Sequence, residues 1–130
     1  MNFMSRYAPL LLSVLRIMSG LLVLQHGTAK FLNFPVGPMN NASLLTMSGA
    51  AGAFEMACGL LVVLGVFTQP AAFLLSGMTA VAYFYSHAPR GFFPILNAGE
   101  LAALYSFVFL YISAAGGGPL SLDRLIFKKD

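Results

Sequence analysis

Charge is what this chain has least of. Only 8% of its 130 residues are charged, against roughly 25% in ordinary soluble domains, and that scarcity excludes a water-facing surface over most of the molecule. The few charges, seven Lys and Arg against four Asp and Glu for a net of +3, are too scattered to make a nucleic-acid-binding face. Cysteine is nearly as scarce. Cys58 stands alone in an apolar run, which rules out an internal disulfide and any Cys-x-x-Cys dithiol chemistry within the chain. Internal repeats and low-complexity tracts are missing as well, apart from the glycines at 116–118. What fills the chain is apolar: 58% hydrophobic residues and a mean hydropathy of +0.82 describe an integral membrane protein.

Four apolar segments, residues 9–29, 47–67, 70–85 and 98–115, are long enough to span, the third only just. They predict an all-α fold, one domain over 1–130 in which four transmembrane helices form a bundle. Arg6 followed by an apolar run has the outline of a secretory signal, but Arg16 interrupts it and no small-x-small cleavage site follows, so it reads as a retained helix. The connection Asn33 to Asn41 carries Pro35, Gly37 and Pro38, and that from Ser86 to Pro94 carries Pro89 and Gly91, so neither continues a helix. Asn41-Ala42-Ser43 fits a glycosylation acceptor but reads first as a cap or loop turn. Ser121 to Lys129 forms a short amphipathic helix, capped by Ser121, expected to lie on the membrane surface as an anchor. Arg6, Arg124, Lys128 and Lys129 on the side of the termini outweigh Lys30 and Arg90 on the other, which places both termini in the cytoplasm and the protein in the inner membrane.

The charges inside the apolar segments are the functional clue. Steps of 4, 3, 4 and 3 from Arg16 lead to Gly20, Val23, Gly27 and Lys30, one stripe of a helix with a cation near each end. Exposing such a cation to lipid tails costs at least about 2.5 kcal/mol, so the stripe should face protein. At about 1.5 Å per residue, His26, Lys30, Glu55, Asn97 and Glu100 all fall in the outer half of the bilayer, with Arg16 near 9 Å on the inner side. Two cationic positions of the first helix thereby face two carboxylates. Gly52 and Gly59 flank Glu55 on its own face and let another backbone approach. Asn97 stands three residues before Glu100, where its amide could orient the carboxylate. Arg16 is the isolated member, free to snorkel to the inner surface. The same four charges could equally serve only to hold helices in register.

His26 and His87 fall at similar height, the arrangement a bis-histidine haem needs, but His87 lies in a loop-like stretch and no other haem feature is present. Haem is therefore not expected, nor a metal site, since the seven methionines read as core filler rather than copper ligands.

Taken in order, Arg16-x-x-x-Gly20, His26-Gly27-x-x-Lys30-Phe31, Gly52-x-x-Glu55-x-x-x-Gly59, Asn97-x-x-Glu100 and Gly117-Gly118-Pro119 with Ser121-Leu122-Asp123 resemble the DoxX family of small four-helix membrane proteins. The resemblance covers nearly the whole chain. It implies a redox-associated role, because some relatives are membrane subunits of redox systems such as a thiosulfate to quinone oxidoreductase. On that expectation the cofactor is a quinone, none being bound covalently. His26 and Lys30 donate to its ring oxygens, Glu55 and Glu100 relay protons, Arg16 stabilises reduced or anionic species, and Asn97, Gly52 and Gly59 complete the binding cleft. Without a dithiol, the electrons come from a partner subunit or a small substrate; a homo-oligomer is a further expectation. The alternative is a non-catalytic scaffold or small-solute carrier whose buried charges hold the helices together.

Overall fold

Each of the four apolar segments folds as a helix in the computed structural model, which describes residues 2–128. Among these residues every regular element is helical: short α1 (Asn2–Ser5), α2 (Ala8–Leu32), α3 (Met47–Leu64), α4 (Thr68–Ala82), short α5 (Pro94–Asn97), α6 (Glu100–Ala115) and α7 (Leu122–Phe127). A π turn over Tyr83–His87 and a 3-10 turn over Ala88–Arg90 extend the end of α4. The second expected span is cut short at Leu64 because Gly65, at φ 72°, takes the left-handed conformation and its N–H bonds back to Leu61 and Val62. The third begins before Pro70 rather than at it, since a first-turn proline lacks only an N–H that has no helical partner anyway.

α2 packs along α3 and α4 along α6, and the two pairs join through α3 and α4, whereas α2 and α6 meet only briefly. The core is Val23, Cys58, Val62, Ala71, Ala72, Leu75, Tyr105, Phe109 and Ile112. Between α2 and α3 the close approach is set by glycines from both sides: a Cβ at Gly27 would lie 2.8 Å from the Met56 backbone nitrogen, and one at Gly59 would lie 3.2 Å from Leu24 Cα. Ser76 and Ser106 tie α4 to α6 reciprocally, each hydroxyl donating to the other's carbonyl at 2.7 and 3.2 Å.

Along α2 the distribution of side chains is inverted relative to a water-soluble domain. On α2 the buried positions include Ser13, Arg16, Ser19, Gly20, Gly27 and Lys30, while Leu10, Leu11, Val14, Leu15, Met18, Leu21 and Leu22 are exposed. Polar and small groups inside, with large apolar groups outside, suit a lipid solvent. Two helices, Ala8–Leu32 and Met47–Leu64, are long and apolar enough to cross a membrane, and Glu100–Ala115 is a shorter apolar helix.

The C-terminal segment is not simply a surface anchor. Ser121 does cap α7, accepting from Arg124 N at 3.2 Å, but the helix folds back against the bundle end and Asp123 is buried. Its carboxylate accepts from Phe67 N at 2.7 Å and Thr68 N at 2.9 Å, and its own N–H donates to Gly65 O at 2.7 Å. Phe67, the residue before α4, has no side chain able to cap, so the first free N–H groups of that helix are satisfied by a carboxylate more than fifty residues away. Lys129, the last residue of the expected helix, lies outside the described residues. In the long α2–α3 connection, Asn41 is a loop residue whose side chain accepts from Asn33 Nδ2 at 2.9 Å.

Candidate functional site

All five members of the stripe from Arg16 to Lys30 are buried, yet its two ends lie in different surroundings. At one end Lys30 Nζ bonds Glu55 Oε1 at 2.9 Å, joining α2 to α3. Gly52 makes that reach possible: a Cβ there would sit 3.0 Å from Lys30 Cδ, so the lysine stem lies on the space a side chain would fill. Both partners are largely withdrawn from solvent, at 9% and 8% exposure. An isolated charge at such a place would be strongly unfavourable, and each ion here is the other's compensation.

This ion pair forms part of the wall of a cavity of about 830 Å³. His26, one turn before Lys30, lines the same space from α2, and His87, at the end of the π turn, lines it from the α4 side. Phe54, Phe73, Met78 and Tyr105 supply apolar and aromatic surface. Phe54, Phe73, Leu74 and Val81 also belong to the exposed apolar outside, so the cavity reaches the apolar flank of the bundle.

Glu100 does not join this site. It is exposed on the outer face of α6, beside a shallow groove with Pro94, Leu104 and Phe107. Equal height in the bilayer placed it opposite Lys30, but height says nothing about rotation around the helix axis. Nor does Asn97 orient it. Asn97 belongs to α5, and the left-handed Ala98, at φ 61°, separates the two helices. The buried Asn97 side chain instead ties together a turn, donating to Gly91 O at 2.9 Å and Tyr83 Oη at 3.2 Å and accepting from Gly99 N at 2.8 Å. Gly59 stands against Leu24, a helix contact away from the cavity lining.

Arg16 is neither isolated nor snorkelling; it is 1% exposed. Its guanidinium donates to the carbonyls of Gly117, Leu120 (2.9 Å) and Val63 (3.5 Å). Ser13 adds a bond to Gly117 O at 2.9 Å and accepts from Leu120 N at 3.0 Å. Gly65 leaves the room, since a Cβ there would lie 2.9 Å from Arg16 Cζ. The tail at 117–123 thus closes over Arg16, which lies outside the cavity lining. His87 is the site residue that sequence reasoning set aside as loop; its height matching that of His26 was the available signal.

Helices with a polar interior, a lipid-suited exterior and an ion pair beside a cavity that reaches the apolar flank define a helical membrane protein with an internal polar site. Residues 11–88 match the DoxX family, and the chain belongs to that family. It is similar over its full extent to a protein of Haemophilus influenzae, 46% identical over 134 residues that cover 99% of this chain and 100% of that one. A second protein of the same organism is 34% identical over 74 residues, 57% of this chain and 49% of that one. Both are described as uncharacterized protein. No solved structure matches.

Proposed function

We propose that this chain is a quinone-interacting membrane subunit of a redox system, with the quinone ring held in the cavity beside Lys30, Glu55 and His26. The observation that carries this reading is the cavity of about 830 Å³, apolar and aromatic over most of its wall, with one buried ion pair set into it. A lipid-borne ring with a greasy tail needs those properties: flat apolar surface for the ring, a lateral opening for the tail, and a few polar groups for the oxygens. Lys30 donates to a ring oxygen. Quinone reduction takes up two electrons and two protons, one on each ring oxygen, and in this reading Glu55 and His26, which line the same cavity, relay the proton for the oxygen beside Lys30. Glu100 and Arg16 drop out of the set. Electrons come from a partner subunit or a small substrate, in keeping with the redox role that the family resemblance implies. In this reading α4 with its π turn, and α6 with α5 before it, complete four crossings of the inner membrane, with both termini cytoplasmic.

The Lys30–Glu55 bond between α2 and α3 also favours a second reading, in which the pair only fastens the bundle. The two part company in one experiment. Wild type, Glu55→Gln and the double variant Lys30→Met with Glu55→Gln are purified and titrated with several short-tailed quinones while thermal unfolding is followed. Glu55→Gln alone strands a buried ammonium and should cost about 3 kcal/mol; the double variant should regain most of that stability. If the cavity is a quinone site, the ligand-induced shift of wild type is absent from the double variant despite its restored stability. A shift retained there, or none in wild type with any quinone, supports the fastener.

A further inference from the structure

His87 is held more tightly than a residue in a turn need be. Its Nδ1 lies 3.1 Å from Asn97 O, and Asn97 is itself 1% exposed, its side chain bonded to Gly91, Tyr83 and Gly99. A carbonyl oxygen only accepts, so Nδ1 carries the proton and, in the neutral ring, Nε2 carries the lone pair. No partner for Nε2 is found among the described residues, and the residue lines the cavity. The π turn that presents His87 (Tyr83–His87) is a rare helical distortion of the kind frequent at functional sites. Lys30, which lines the same cavity from α2, offers the opposite chemistry, since an ammonium has three donors and no acceptor. α2 and the end of α4 belong to different helix pairs, so the donor and the acceptor stand on separate walls of one space.

We propose that His87 is a specificity-determining residue whose Nε2 accepts a hydrogen bond from a ring hydroxyl, so that the cavity prefers the reduced, hydroquinone form of its ligand. This rests on the quinone-site reading above. A quinone has two carbonyl oxygens, both acceptors, and leaves the His87 lone pair unmatched. A hydroquinone presents an O–H to His87 while its other oxygen accepts from Lys30. One wall gives and the other takes, and only the reduced ring satisfies both.

The test is calorimetric titration of the full chain in lipid nanodiscs with 1,4-benzoquinone and, under anaerobic conditions, 1,4-hydroquinone. Wild type should bind the hydroquinone about tenfold more tightly, the scale of one well-matched hydrogen bond. His87→Asn keeps an N–H for the Asn97 carbonyl but deletes the second ring nitrogen. It should weaken the hydroquinone about tenfold and the quinone distinctly less, so that the preference for the reduced ring disappears. Equal binding of the two rings by wild type overturns the inference while leaving the quinone site standing, and needs no variant to fold. An equal loss of both rings in His87→Asn, or no loss of either, also overturns it. Binding of neither ring by wild type removes the quinone site and the inference together.

Discussion

The two ends of one helix solve the same physical problem differently. Arg16 and Lys30 are both buried cations on the same stripe of α2, about four turns apart. Arg16 is surrounded by backbone carbonyls from the C-terminal tail and the end of α3, with Asp123 nearby among backbone N–H groups. Its planar fork suits several fixed acceptors at once, and the space around it is filled. Lys30 has a single carboxylate partner among the described residues and borders a cavity. A buried charge in a membrane bundle therefore does not by itself mark a reactive site. What sets the Lys30 end apart is the empty space beside its charge, which the proposed ligand would need in order to reach it.

This contrast can be broken in order of expected effect. Arg16→Met should be the most damaging change at the closed end, costing about 3 kcal/mol or more as the tail loses its anchor and the Leu120 carbonyl its donor; denaturant unfolding in bicelles measures it, and a loss below about 1 kcal/mol would mean that the tail holds without the guanidinium. Asp123→Asn should cost less, about 1 to 2 kcal/mol, since the amide oxygen still accepts one of the two α4 N–H bonds while the charge assistance disappears. Faster proteolysis of the C-terminal segment, with no change in ligand affinity, would show that this end is separate from the cavity. Glu100→Gln should fall within about 0.5 kcal/mol of wild type and leave quinone titration unaltered; a marked loss of binding would return Glu100 to the site.

Much of the closed face was legible. The spacing of four and three residues marks Arg16, Gly20, Val23, Gly27 and Lys30 as one stripe, and all five are buried. Depth sets Lys30 opposite both Glu55 and Glu100; the structure pairs it with Glu55, where Gly52 leaves room for the lysine stem. Glu100 was misplaced because height along the membrane normal is one coordinate and rotation another; the left-handed Ala98 sets the phase of α6, and alanine gives no warning of that conformation. The partners of Arg16 were invisible for a different reason. They are carbonyl oxygens, which every residue possesses, so no side-chain pattern points to them. The proline at 89 makes the surroundings of His87 read as loop, whereas the helix continues through a π turn as far as His87 itself.

The closure of the tail over Arg16 also constrains how the chain is threaded. Ser13 and Arg16, near the start of α2, bond to Gly117 and Leu120, beyond the end of α6. The strand of chain entering the bundle and the strand leaving it are thus stitched at one face. A polypeptide that returns to the side from which it set out has crossed an even number of times. The four crossings proposed above are the even count that these hydrogen bonds fit, whichever compartment that face adjoins.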